Sequence, residues 1–141
     1  RGGAGLYEVI ERFVGSGDRR GRWACFASLA QGDYYGLMER SAVMVGNSSS
    51  GIIEAAAFKL PAVDVGPRQA GRLAPANVIR CDYGRDAVSA ALYRALDDAA
   101  FSRRLKRMSN PYGPGDAPRT VARTLAKTAI DRKLLVKRNS Y

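Results

Sequence analysis

No histidine occurs among the 141 residues. Its absence removes Ser-His-Asp and Cys-His catalysis, along with most zinc and non-haem iron sites, so neither a metal nor a metal cofactor is expected. Cysteine is scarce: Cys25 and Cys81 stand far apart with no C-x-x-C spacing. That excludes a disulfide scaffold and a zinc finger, and it fits a reducing, cytoplasmic setting. No apolar run approaches the length of about 18 residues that a membrane-spanning helix needs. Internal repeats and low-complexity tracts are also missing. The opening Arg1-Gly-Gly-Ala-Gly is no signal peptide, and without an initial Met the protein is expected to begin upstream.

The chain is 46% hydrophobic and 26% charged, a globular composition, and its length suits one domain with a core of its own. The net charge of +10 is uneven. Residues 1–100 carry 12 basic and 11 acidic side chains, whereas residues 101–141 carry 11 and 2. Such a basic end raises a nucleic-acid or anionic-surface partner. It also reads as a solvated helix face with a ragged C-terminus, or as a face that meets an acidic surface on a missing domain.

Leu6, Val9, Ile10, Phe13 and Val14 fall at helical spacing, with Gly15 and Gly17 as the stop. Arg22 to Leu29 alternates loosely and predicts a short strand. Asp33 is placed to cap a helix through Ala42 that buries Tyr34, Leu37 and Met38. Ala42-Val43-Met44-Val45, ended by Gly46, reads as a strand covered on both faces. A helix over Gly51–Phe58, a strand over Pro61–Gly66 and a strand over Asn77–Arg80 follow. Ala87 to Leu96 and a second segment to Met108 are helical. Asn110 to Pro118 is a Gly/Pro-rich loop, and Val121 to about Leu135 a long final helix. Strands alternating with helices predict an α/β fold with a Rossmann-like parallel sheet and flanking helices.

The informative stretch is Val45-Gly46-Asn47-Ser48-Ser49-Ser50-Gly51-Ile52-Ile53-Glu54. A strand ends, a small polar loop follows and a helix begins. Small residues let backbone N–H groups approach an anion, hydroxyls add donors, and a helix N-terminus adds partial positive charge. Ligands of open parallel sheets bind at the carboxyl ends of strands. The same serines serve equally well as helix N-caps. No Gly-Lys-[Ser/Thr] follows, so this is not a Walker A loop, and it is not a G-x-S-x-G elbow. Glu54 either complements the helix dipole, worth about 0.3–1 kcal/mol, or accepts hydrogen bonds from sugar hydroxyls. A second cluster, Gly66-Pro67-Arg68-Gln69-Ala70-Gly71-Arg72, follows the next strand, and adjacent strands would set it beside the serine loop. Arginine offers a fixed fork of donors suited to phosphate; the plain alternative is a surface loop.

Taken together these residues resemble the UDP-N-acetylglucosamine 2-epimerases. The resemblance rests on Gly46-Asn-Ser-Ser-Ser-Gly-Ile-Ile-Glu-Ala55, on Pro61, Val63, Gly66-x-Arg68-Gln69-x-Gly71-Arg72 and Asn77-Val78, and on Asn110-Pro-Tyr-Gly-Pro-Gly-Asp-Ala117 before the last helix. It covers residues from about 25 to about 130, and the loop forms are those of the hydrolysing branch. It implies the C-terminal, nucleotide-binding half of a two-domain GT-B type fold, homodimeric at full length, with no cofactor and with no nucleic-acid or membrane partner. By the same resemblance Ser48 and Ser49 with the Gly51 backbone would hold the UDP diphosphate, and Ser50 would belong to the same substrate-binding loop. Glu54 would hold the ribose, Arg68 would contact the nucleotide, and the backbone near Leu29 would receive uracil, although Ala30 stands where Pro is usual. No residue matches the family's catalytic carboxylates and histidine, which belong to the missing N-terminal domain or hinge. The implied substrate is UDP-N-acetylglucosamine or a diacetamido relative. Two rivals remain: a UDP-sugar GT-B glycosyltransferase domain, and a basic nucleic-acid-binding module.

Overall fold

The computed structural model describes residues 3–15 and 23–136. They form two compact units, divided between Leu37 and Met38.

In the first unit, helix α1 spans Gly3–Gly15. It ends at Gly15 as its sequence suggests; Gly17 lies outside the described residues. Its apolar stripe is open to solvent, with Leu6 63% and Val9 60% exposed. The Phe13 ring meets that of Trp23 edge-on, with centroids 5.2 Å apart. The strand expected over Arg22–Leu29 does not form. Arg22 lies outside the described residues, Trp23 sits in an isolated bridge, and residues 24–29 carry no strand. Alternation supplies a face to bury, but a strand also needs a neighbour to take its backbone hydrogen bonds, and short unsupported pairings are marginal in water.

Helix α2, Gln31–Arg40, crosses the boundary between the units. It starts earlier than Asp33 suggests, because Tyr34 N donates to Ala30 O at 3.0 Å. Asp33 therefore sits in the first turn, where its charge complements the helix dipole instead of capping the end. Of the three side chains expected inside, Met38 is buried, Tyr34 half-buried and Leu37 exposed. The three share one stripe at i, i+3 and i+4, but only its Met38 side is covered.

The second unit is built on a parallel sheet of β1 (Met44–Gly46), β2 (Ala62–Val65) and β3 (Val78–Cys81), in the order β1-β2-β3. Val45 pairs with Val63 and Val63 with Ile79; Gly46 pairs with Asp64 and Asp64 with Arg80. Central β2 is buried, as a strand covered on both faces should be. β1 departs from that expectation. It is an edge strand of the three, and Val45 is 47% exposed, whereas α3 packs mainly on β2 and β3.

Helices α3 (Arg85–Asp97) and α4 (Ala99–Lys106) cover one face. Ala91 and Ala95 of α3 and Phe101 and Leu105 of α4 recur at i, i+4 and close the core over Val63 and Ile79. Asp98 breaks the chain between the two helices and caps α4, accepting from Ala100 N at 2.7 Å and Phe101 N at 3.1 Å. The N–H groups of Phe101 and Ala100 hold its carboxyl below the ordinary range. The cap is therefore fully formed above the unfolded carboxylate pKa and lost as pH falls through the lowered one.

The opposite face lies against residues 49–60. They are not the regular helix expected over Gly51–Phe58. A short 3₁₀ turn, Ser49–Gly51, leads into turns of mixed period. Ile53 N reaches Ser49 O, four residues back; Ala57 N reaches Glu54 O, three back; Ala55 N reaches Ser50 O and Leu60 N reaches Ala55 O, both five back. The cause lies across the fold. Asn77 Nδ2 takes the Gly51 carbonyl at 3.2 Å and the Leu60 carbonyl at 2.9 Å, and the Gly51 acceptor is thus withdrawn from the helical ladder.

The final helix is also broken, into α5 (Ala117–Lys127) and α6 (Arg132–Leu135). The Thr128 hydroxyl donates to Thr124 O at 2.7 Å, and Asp131 Oδ1 accepts from Leu134 N at 2.8 Å. These local bonds compete with the helix, and no buried face holds it together: α5 has no buried residue and Ile130 is 79% exposed. The basic residues of this region accordingly sit on solvated helices.

Candidate anion-binding site

Two loops meet at the carboxyl ends of β1 and β2, where open parallel sheets place ligands. The serine loop leaves β1 at Gly46. Ser48 caps the 3₁₀ turn, its hydroxyl accepting from Ser50 N at 3.3 Å. Gly51 N donates to Ser48 O at 3.2 Å, so that amide is already engaged. The N–H groups of Ser48 and Ser49 carry no hydrogen bond among the described residues. Ser48 is exposed and Ser49 half-buried, while Ser50 and Gly51 are buried. Open donors thus belong to the first two serines. A Cβ on Gly51 would come within 3.3 Å of Ala62 Cβ, tighter than side chains ordinarily pack, and this close approach seats the loop on β2.

The arginine loop leaves β2 at Gly66, whose φ of +78° favours glycine, and passes through the 3₁₀ turn Pro67–Gln69. It closes on the serine loop at one residue. Gln69, 3% exposed, donates from Nε2 to Asn47 O at 2.7 Å, and Arg68 Nη1 donates to Asn47 Oδ1 at 3.3 Å. The guanidinium has five N–H donors, so most of the exposed Arg68 fork stays available for an anion.

Glu54 stands half-buried on the segment that follows the serines, its N–H bonded to Ser50 O. Its Oε2 is buried and has no hydrogen-bond partner among the described residues. A buried acceptor without a donor is uncommon and invites one, such as a hydroxyl. Cys81, at the end of β3, offers no nucleophile. Burial pushes its thiol pKa up, and the charges of Asp82 and then Asp64 add to the effect, so it stays protonated at neutral pH. No cluster of metal-ligating side chains exists among the described residues.

The structure therefore brings Arg68 to the serine loop that carries Ser48, Ser49, Ser50 and Gly51, at the carboxyl ends of β1 and β2, with Glu54 on the segment that follows. Leu29 belongs to the first unit, half-buried just before α2. Gln69, Asn77, Asp64 and Arg80 act here without a role that their sequence context assigns. Gln69 and Asn77 lie within the loop and strand motifs, where a polar side chain beside a strand is their only signal. Asp64 and Arg80 carry none, because their partnership depends on β2–β3 register.

The family model described as UDP-N-acetylglucosamine 2-epimerase matches residues 2–126. The UDP-N,N′-diacetylbacillosamine 2-epimerase (hydrolyzing) of Legionella pneumophila is 35% identical over 140 residues, covering 99% of this chain and 35% of that protein. The polysialic acid biosynthesis protein P7 of Escherichia coli is 30% identical over 105 residues, covering 74% of this chain and 27% of that protein. The UDP-N-acetylglucosamine 2-epimerase of Neisseria meningitidis is 34% identical over 80 residues, covering 57% of this chain and 21% of that protein. The chain spans about a third or less of the length of these curated relatives. With the serine loop, the arginine loop and the Asn-Pro-Tyr-Gly segment all inside the matched region, the chain belongs to the UDP-N-acetylglucosamine 2-epimerase family.

Proposed function

We propose that these 141 residues are the UDP-binding part of a hydrolysing UDP-sugar 2-epimerase, the C-terminal half of a GT-B type enzyme. The observation that carries this reading is the closure of Arg68 and Gln69 onto Asn47, which sets the remaining guanidinium donors beside the unpartnered Ser48 and Ser49 amides. Fork, amides and hydroxyls together suit a diphosphate. Glu54 Oε2 receives a ribose hydroxyl. The substrate is UDP-N-acetylglucosamine or a diacetamido relative, as the names of the relatives suggest. In the full protein a base outside this chain takes the proton at the sugar's second carbon, UDP leaves from the first, and water adds to the glycal. Charge stabilisation of the departing diphosphate is this domain's share. The full protein works as a cytoplasmic homodimer.

Calorimetry of the chain with UDP, UMP and uridine should rank affinity in that order, because the phosphates supply the charge-assisted bonds. Arg68→Ala should weaken UDP by about 1.5–3 kcal/mol, and Arg68→Lys should recover only part of that. Equal affinity for uridine and UDP, or indifference to both substitutions, would return the arginine loop to a surface turn.

Glu54→Gln tests the ribose assignment. The change should leave the fold intact and weaken UDP. Against the unaltered chain, 2′-deoxy-UDP should bind less well than UDP, and in the Glu54→Gln variant that difference should shrink. Discrimination that persists undiminished would leave Glu54 with a dipole role alone.

A further inference from the structure

We propose that Asp64 and Arg80 are positioning residues that set the arginine loop over the serine loop, so that phosphate binding depends on two side chains that need not touch the ligand. The ligand arm of this inference rests on the nucleotide reading above; the loop arm does not.

Asp64 and Arg80 are register partners on β2 and β3, which puts both side chains on the same face of the sheet. Asp64 is 4% exposed, and neither of its carboxylate oxygens accepts a hydrogen bond among the described residues. Arg80 Nε lies 3.7 Å from Asp64 Oδ2, the single ion pair found among them. The same guanidinium donates from Nη2 to the Arg72 carbonyl at 3.1 Å. Arg72 closes the loop whose earlier residues, Arg68 and Gln69, grip Asn47. Asp64 also lines a small void of about 10 Å³ with Gly46, Ser48 and Gly51, directly under the serine loop. One buried carboxylate thus lies beneath one loop and, through Arg80, fastens the root of the other.

Stability alone does not account for the pair. Arg80 is half-exposed and 3.7 Å away, and an ion pair of that kind contributes little. A carboxylate buried in a central strand costs desolvation that an apolar residue would avoid. What an apolar residue could not do is hold a guanidinium aimed at the Arg72 carbonyl.

The test uses the 141-residue chain with Asp64→Asn and Arg80→Ala made together, which removes the linkage without stranding a buried charge. Hydrogen exchange reads the loop directly. The Ala70 and Arg72 amides, bonded to Pro67 O and Gln69 O, should exchange about tenfold faster, while those of α3 and α4 stay within about twofold. UDP affinity should fall about fivefold to tenfold and uridine affinity by less than about twofold, since uridine has no phosphate for the loop to meet. In an Arg68→Ala background the same pair of changes should cost UDP little more, because their effect runs through Arg68. Arg80→Lys should restore exchange protection only in part, since an ammonium cannot span both partners as a guanidinium does. Unchanged loop exchange overturns the inference. So does an equal loss for uridine and UDP, or losses that add in the Arg68→Ala background, which would make Arg80 a direct ligand contact. If the unaltered chain fails to bind UDP, the nucleotide reading falls, and the exchange result still decides whether the pair positions the loop.

Discussion

Asn77→Asp is expected to destabilise the second unit by about 3–5 kcal/mol, the range for an uncompensated buried charge. Asn77 is fully buried, and its amide nitrogen donates to Gly51 O at 3.2 Å and Leu60 O at 2.9 Å. Those carbonyls mark the two ends of the irregular segment that carries Glu54. Replacing the NH₂ by an ionised oxygen turns two attractions into two repulsions with nearly unchanged volume, so packing loss cannot explain the result. Asn77→Ala should cost less, about 2–3 kcal/mol, because it removes two donors without adding a charge. Urea unfolding followed by circular dichroism measures both. An Asn77→Asp chain as stable as the original would mean that the segment is held by something other than this clamp.

The 141-residue chain by itself should leave UDP-N-acetylglucosamine intact, with UDP release no faster than in buffer. Epimerisation needs a base for the proton at the sugar's second carbon and help for the leaving diphosphate, and general acid–base catalysis typically contributes about 10²–10⁴-fold. The groups at hand do not supply it. Glu54 is the proposed ribose acceptor, Asp64 is buried and ion-paired to Arg80, and the Cys81 thiol is held protonated by burial and its acidic neighbours. Histidine is absent. Without a facing domain the site is also open to water, which screens the charge stabilisation that the arginine loop could offer. Adding the remainder of the protein should restore release of UDP together with the 2-epimerised sugar. Release of UDP from the sugar nucleotide by the isolated chain, above background, would mean that the catalytic groups are here after all.

The parallel sheet and the two loops at its carboxyl ends were legible because their signals are local. A short apolar run ending in glycine, small polar residues and an arginine between glycines each have a meaning within ten residues. What failed to show was non-local. Val45 looks like any buried strand residue, and its exposure follows only from β1 being an edge. The segment after Ser50 has the composition of a helix, and a side chain 26 positions away takes its Gly51 carbonyl. Cys25 and Phe26 have strand character, but among the described residues no strand forms there. Asp64 and Arg80 become partners only through strand register. The long terminal helix failed for a different reason: Val121 and Leu125 have the right spacing, yet no buried surface binds them, and Thr128 and Asp131 end one helix and start another locally.

Titration of the isotope-labelled chain with UDP, followed by amide chemical shifts, bears most directly on where the ligand sits. The nucleotide reading predicts the largest changes at Ser48, Ser49, Glu54 and Arg68, with residues of α5 silent. It is contradicted if those four stay still while the strongest changes fall on the basic groove of about 750 Å³ lined by Arg103, Arg104 and Arg107.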